Sequence, residues 1–312
     1  MVRKHRQAVE TLFLPMTFAL SRVRNTIVPK PGEAVLDYFA LLGGQQSLSI
    51  FYLSVAKPFN VHEMRKIIYF TALMLFTFLS CAPKPELPYE VDRFPTPGGR
   101  EVAITFIKHG SVAISLGNFE IQVDPVLNQR NFTVDYSVFP KADLILITHE
   151  HGDHLDSAAI AMLSQKNTRI ILNQKSRDIF GAGEVISNGE ELQINKQIQL
   201  EAVPAYNSTP ERSQFHPKGN GNGYLLTLDG FKIYIAGDTE FIPEMENLAD
   251  REIDVAFLPV NQPYTMTIEQ CVQAAEVIRP KILYPYHFSN TPVEQIADSL
   301  SGSGIEVRIR AM

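Results

Sequence analysis

Cysteine is nearly absent from this 312-residue chain: Cys81 and Cys271 are the only two. That excludes a disulfide framework and a cysteine-rich zinc module. Long apolar runs are missing too. The apolar run near residue 70, Ile67–Leu79, has 13 residues, whereas a membrane span takes about 20. Basic charge is scarce in the larger part of the chain. Residues 1–80 hold 9 of the 28 Lys/Arg and 4 of the 34 Asp/Glu, which leaves 19 against 30, net −11, for residues 81–312. So acidic a body repels phosphates over a Debye length, and nucleic acid is excluded as a partner. There is no internal repeat and no low-complexity tract. With 45% hydrophobic and 20% charged residues, the chain has globular proportions and length for a substantial core.

The shift in composition near residue 80 has a specific shape. Met64-Arg65-Lys66 precedes the apolar run, Ser80 and Cys81 follow it, and Pro83, Pro85 and Pro88 come next. A basic start, a short apolar run and a small residue at the cut describe a secretory signal peptide. Cysteine directly after the small residue resembles the lipobox of bacterial lipoproteins, although Phe78 stands where an aliphatic residue is usual. The expected organisation is an upstream extension over 1–63, a lipoprotein-type signal peptide over 64–80, an extended Pro-rich tether over 81–98 and one globular domain over 99–312. Acylated at Cys81, the protein would be anchored in the cell envelope and face the periplasm or exterior.

Within the body, alternating runs separated by Gly and Asn predict strands at Val102–Lys108, Val112–Leu116 and Phe119–Val123. Asp143–Thr148 reads as a strand buried on both faces, followed by a helix near Leu155–Lys166 and strands at Arg169–Asn173 and Gln199–Pro204. Gly223–Leu228 and Phe231–Ala236 form a hairpin around Asp229-Gly230. Strands at Asp254–Val260, Ile282–His287 and Glu306–Ile309 alternate with helices at Ile268–Ile278 and Val293–Leu300. Two sheets with helices packed outside, an α/β (α+β) protein in αββα layering, satisfy this order.

His149-Glu150-His151-Gly152-Asp153-His154 follows the buried strand. Ionisable groups this dense at a strand end lose hydration that a divalent metal restores. His149 and His151 can hold one ion, and Asp153 with His154 a second. Imidazole with carboxylate suits zinc, with Mn or Fe as alternatives.

These residues resemble the His-x-His-x-Asp-His signature of the metallo-β-lactamase superfamily, and the resemblance extends over Val102–Met312. It implies a four-layer αββα sandwich and two zinc ions per chain. It further implies that Asp238, in Ala236-Gly237-Asp238-Thr239, bridges both ions and that His287 ligates the second. Asp124 would support the histidine loop from behind. His109-Gly110-Ser111 and Gly237-Asp238-Thr239 look most like the ascorbate-6-phosphate lactonase and N-acylphosphatidylethanolamine phospholipase D branch. His109 either borders the site or is structural. The family's third imidazole on the first ion is missing where it is usual. Strand Gln199–Pro204 runs into Ala205, Tyr206 and Asn207, and the only histidine between His154 and Asp238 is His216, 22 residues before Asp238. His216 is therefore expected to be a replacement ligand, and otherwise Tyr206 or Asn207 merely line the pocket. Loop Phe215–Gly221 reads as a pocket wall. The implied activity is hydrolysis of an ester, lactone, amide or phosphodiester in a small-molecule substrate. A metal-bridging hydroxide would be the nucleophile, with Asp153 and Asp238 as catalytic carboxylates. A di-iron redox protein and a non-catalytic metal-binding lipoprotein are the alternatives. Cys271, on an amphipathic helix, is expected to be an inert core thiol.

Overall fold

The computed structural model describes residues 88–129 and 132–312, so the proposed extension, signal peptide and Cys81 lie outside the described residues. Strands β1 (Val91–Pro95), β2 (Glu101–Lys108), β3 (Ser111–Leu116) and β4 (Phe119–Val123) form an antiparallel meander. The short pair β5 (Asn128–Gln129) and β6 (Phe132–Thr133) stands apart. β7 (Leu144–Leu146), β8 (Arg169–Leu172) and β9 (Glu184–Val185) add in parallel to β4 and complete a seven-stranded sheet. The second sheet also has seven strands: β10 (Glu191–Asn195), β11 (Ile198–Ala205), β12 (Gly221–Leu228), β13 (Phe231–Ile235), β14 (Val255–Pro259), β15 (Ile282–Tyr286) and β16 (Glu306–Val307). Four helices complete the described fold: α1 (Ser157–Leu163), α2 (Gln174–Phe180), α3 (Ile268–Ile278) and α4 (Glu294–Ser299).

The period-2 pattern assigns each strand residue to one of two cores. Ile104, Phe106, Val112, Ile114, Ile121 and Leu144 face Leu200, Leu226, Ile233, Phe257 and Tyr284 between the sheets. The alternate residues Leu225, Tyr234, Ala256, Leu258 and Leu283 pack outward against Cys271, Ala274, Ala275 and Ile278 of α3 and Ile296 of α4. Ala113 and Ile145 likewise meet Ile160 and Leu163 of α1 on the other outer face. This is an αββα sandwich. Each fully buried Leu, Ile or Phe contributes about 1.5–3 kcal/mol.

Local chemistry explains the boundaries. Thr267 caps α3 with a full capping box through Gln270, and Asp156 caps α1 by accepting from Ala158 and Ala159. Asp229 and Gly230 both have positive φ, as a two-residue hairpin turn between β12 and β13 requires.

The expected tether over 81–98 fails from Val91 onward. β1 pairs with β2 along its whole length, Phe94 stacks on Phe231, and Asp92 binds Arg308 and Arg310 near the C-terminus. Two prolines beside a short alternating run masked an edge strand, a position that tolerates proline. Helix α2 and strands β9 and β10 were also not foreseen, because their residues are mostly exposed and carry little hydrophobic period.

Candidate metal centre

All the chemistry-bearing residues lie at one edge of the sandwich, where strands of both sheets end. β7 runs into Thr148 and the His149–His154 loop, β13 into Asp238, and β15 into His287. The β2–β3 turn carries His109, the end of β4 carries Asp124, and the long connection from β11 to β12 carries His216. The six histidines among the described residues all gather here.

Asp124 organises the histidine loop. It is fully buried. Its Oδ1 accepts from the Thr148 amide at 2.8 Å, and its Oδ2 accepts from the Thr148 hydroxyl at 2.7 Å. His154 Nδ1 lies 2.8 Å from the same Oδ2 and donates to it. Since Thr148 spends its one hydroxyl proton on Asp124, it accepts from His149 Nδ1 at 3.0 Å. His216 Nδ1 donates to the Tyr264 carbonyl at 3.0 Å, which can only accept. Three imidazoles are thus fixed with Nδ1–H outward and Nε2 turned to the centre, as metal-binding histidines commonly are.

Asp238 is where these Nε2 atoms meet. Its Oδ2 lies 3.3 Å from His216 Nε2, 3.3 Å from His287 Nε2 and 3.9 Å from His149 Nε2, while Oδ1 lies 3.5 Å from His154 Nε2. Asp153 Oδ2 is 3.6 Å from His287 Nε2 and 3.3 Å from His109 Nε2. His149 Nε2 and His151 Nδ1 are 3.0 Å apart, and each can offer one nitrogen, with His216, to a common ion. Two further groups share the same property: His149, His154 and Asp238, and His109, Asp153 and His287.

The arrangement fits metal for a physical reason. His154 Nε2, His216 Nε2, His287 Nε2 and Asp238 Oδ1 are all buried and lack a hydrogen-bond partner. Several orphaned polar atoms aimed at one point would each cost about 1–3 kcal/mol if nothing bound them. The electrostatics agree. Burial first, and then the charge of His154, holds His149 well below the usual histidine range, so its imidazole is neutral and free to accept a metal. Burial opposes charge on Asp238 and on Asp153 as well, but imidazoles outweigh it: His287 and His154 beside Asp238, His109 and His287 beside Asp153. Both carboxylates stay ionised, well below their usual range. Burial also opposes charge on His154, yet Asp238 and Asp124 raise it well above the usual value, so a metal would displace a proton there.

The structure places the remaining sequence candidates as follows. His216 enters the cleft. Asn207 lies under it as a brace: its amide donates to the His216 carbonyl at 2.8 Å and its Nδ2 to the Tyr264 carbonyl at 2.7 Å. Tyr206 braces the Asp238 turn from its main chain: its amide donates to the Thr239 hydroxyl at 3.1 Å, and its carbonyl accepts from that hydroxyl at 2.9 Å. Its hydroxyl donates to Glu244 at 2.8 Å and accepts from Lys218 at 3.1 Å, which directs it away from the histidines. Cys271 is fully buried beside α3's packing partners, and burial pushes its thiol up, out of reach of any nucleophilic role.

Some residues that position the site gave no sequence signal. Glu240 is fully buried and holds the start of the His216 loop through the Thr209 amide at 2.7 Å and Arg212 at 2.6 Å. Glu150 joins the two loops, accepting from Asn220 at 2.8 Å and pairing with Lys175 of α2 at 2.6 Å. A Cβ on Gly110 would come within 2.8 Å of His154 Cε1, so glycine there lets the β2–β3 turn press against that ring. The proximity of Gly110 to a histidine was written in the chain, but its partner was not.

Comparison with known proteins gives the same picture. Residues 103–287 match the family described as "Beta-lactamase superfamily domain". A UPF0173 metal-dependent hydrolase of Pyrococcus furiosus is 31% identical over 200 residues, covering 61% of this chain and 86% of the relative. A crystal structure from Parabacteroides distasonis, whose name assigns it to the metal-dependent hydrolases, is 53% identical, with TM-score 0.68 over 72% of this chain and 99% of the other. Igni18, a metallo hydrolase of Ignicoccus hospitalis, shares the fold at 24% identity and TM-score 0.56, covering 67% of this chain and 94% of that one. The chain is a metal-dependent hydrolase that belongs to the metallo-β-lactamase superfamily and, within it, to the UPF0173 family.

Proposed function

We propose that this protein is a dinuclear, zinc-dependent hydrolase of small molecules that carry an ester, lactone, amide or phosphodiester bond. The observation that carries the reading is the set of buried, partnerless Nε2 atoms of His154, His216 and His287 converging with Asp238. The first ion would be held by His149, His151, His216 and Asp238, and the second by Asp153, His154, His287 and Asp238. Such ions supply Lewis-acid activation of water and polarise a carbonyl or phosphoryl oxygen. The protein's part is positional. Asp124 and Thr148 hold His149 and His154 in one tautomer, and Tyr264 does the same for His216 through its carbonyl. Asp153, its side chain 49% exposed, is the acidic group that faces incoming substrate, whereas Asp238 is nearly closed off. No described serine or cysteine is needed as nucleophile.

A cleft of about 620 Å³ lies beside the centre, lined by Asn261, Gln262, Thr267, Ser289, Asn290 and Thr291. Asn261 Nδ2 is 3.5 Å from His287 Nδ1, which ties this cleft to the metal cluster. Its amides and hydroxyls, together with apolar Met266, Ile268 and Pro292 and one carboxylate, Glu269, suit a substrate body of mixed polarity without negative charge. The resemblance of His109-Gly110-Ser111 and Gly237-Asp238-Thr239 to the lactonase and phospholipase D branch favours lactones and phosphodiesters within the panel. The sequence Met64–Cys81 supports a lipid anchor at Cys81, which would place the hydrolase at the cell envelope. Screening the zinc-loaded protein against lactone, phosphodiester, thioester and β-lactam panels tests the reading. Turnover that is lost on chelation and restored by metal is expected. Turnover that survives complete metal removal would overturn it.

A further inference from the structure

We propose that His109 is itself a ligand of the second metal ion, so that this ion has five protein donors: His109, Asp153, His154, Asp238 and His287. The inference rests on the two-metal reading above and adds a residue that the His-x-His-x-Asp-His signature does not contain.

The β2–β3 turn is built to deliver this imidazole. His109 has φ +57°, a left-handed conformation uncommon for residues other than glycine. Gly110 allows the turn to sit against His154, as the close approach to Cε1 shows. The His109 carbonyl accepts the His287 amide at 3.2 Å, and the two rings lie with centroids 3.6 Å apart. Main chain and side chain of His109 thus both clasp a residue of the second site.

The donor spacing fits a shared ion. Adjacent ligand atoms on one ion with bonds of about 2.0–2.2 Å stand roughly 3.0–3.6 Å apart by simple geometry. His109 Nε2 is 3.3 Å and His287 Nε2 3.6 Å from Asp153 Oδ2, and His287 Nε2 is 3.3 Å from Asp238 Oδ2. One donor atom from each of His109, Asp153 and His287 lies within 4.8 Å of the other two. The competing role is a hydrogen bond from His109 that merely orients Asp153. Both roles would weaken metal binding on mutation, so affinity alone does not separate them.

Direct observation of the metal–nitrogen bond does. The full chain, labelled with ¹⁵N-histidine and loaded with ¹¹³Cd, should show cadmium–nitrogen coupling at six imidazoles. His109→Asn, which tolerates the turn conformation, should show five with both cadmium ions retained and the second ion bound at least tenfold more weakly. Five couplings in the unmodified protein would overturn the proposal and leave His109 as an orienting donor. The count needs no variant, so a misfolded His109→Asn would not rescue the idea. Six couplings in a protein that hydrolyses nothing on the panel would refute the proposed function alone. No coupling at any imidazole would refute the metal reading beneath both.

Discussion

The two halves of the sandwich contribute to the centre in opposite ways. The first sheet supplies His149, His151, Asp153 and His154 from six consecutive residues, fixed from behind by one buried carboxylate, Asp124. The second sheet supplies His216, Asp238 and His287 from three separate positions spread over 72 residues of chain. In the first half the geometry of the four candidates is local and survives as long as one loop keeps its hydrogen bonds. In the second half it exists only once β11 to β15 have paired. Disturbing either half therefore tests a different dependence.

Asp238 touches ligands of both halves, so its loss should have the largest effect. Asp238→Ala is expected to reduce hydrolysis by about 10²–10³-fold or more, as for the loss of a principal electrostatic contact, with an unchanged far-ultraviolet circular dichroism spectrum. A purified variant with turnover near that of the parent would show that the halves do not share a bridge.

His216→Ala should strike the first ion selectively. Zinc titration is expected to show one equivalent lost or much weakened and the other retained. Two equivalents of unchanged affinity would reduce His216 to a wall of the cleft. Asp124→Asn is the counterpart in the first half. An amide offers one accepting oxygen and a donating NH2, so Thr148 or His154 loses its acceptor, and metal affinity or turnover should fall about 10–100-fold. A fall below threefold would mean that the loop holds its shape without this support.

Glu240→Gln should have a smaller effect, confined to the second half. It removes the charge from the buried Arg212 contact but keeps the shape, which should cost about 1–3 kcal/mol of stability and weaken the first ion more than the second. Equal weakening of both ions would contradict the assignment of Glu240 to the His216 loop. Cys271→Ala should change turnover least of all, within twofold, because that thiol is enclosed in the outer core. A large loss of activity there, with folding intact, would require a role that its burial denies.

The same asymmetry decides what could be read from the chain. The His149–His154 loop was legible because its ligands are adjacent and follow a continuous apolar strand. Asp238 and His287 became readable only through the resemblance to a family, since a lone Asp beside Gly or a lone His at a strand end has no distinguishing local chemistry. His216 was singled out as a candidate by elimination, and Glu240, its anchor, gave no signal because its partners Thr209 and Arg212 meet it only after the loop folds back. The direction of the Tyr206 hydroxyl was unreadable for a related reason. Its neighbours in sequence lie near the cleft, but Glu244 and Lys218 capture its hydroxyl on another side. Among the strands, the alternating runs of both inner sheet faces were clear. The edge strand β1, with its prolines and mixed polarity, was not.

The central claim is that both halves converge on one two-metal centre, and the metal content of the protein tests it most directly. Metal-depleted protein, titrated with zinc and analysed for bound metal after removal of excess, should hold two ions per chain, and Asp238→Ala should fail to retain both. One ion or none in the parent, with the fold intact, would contradict the account.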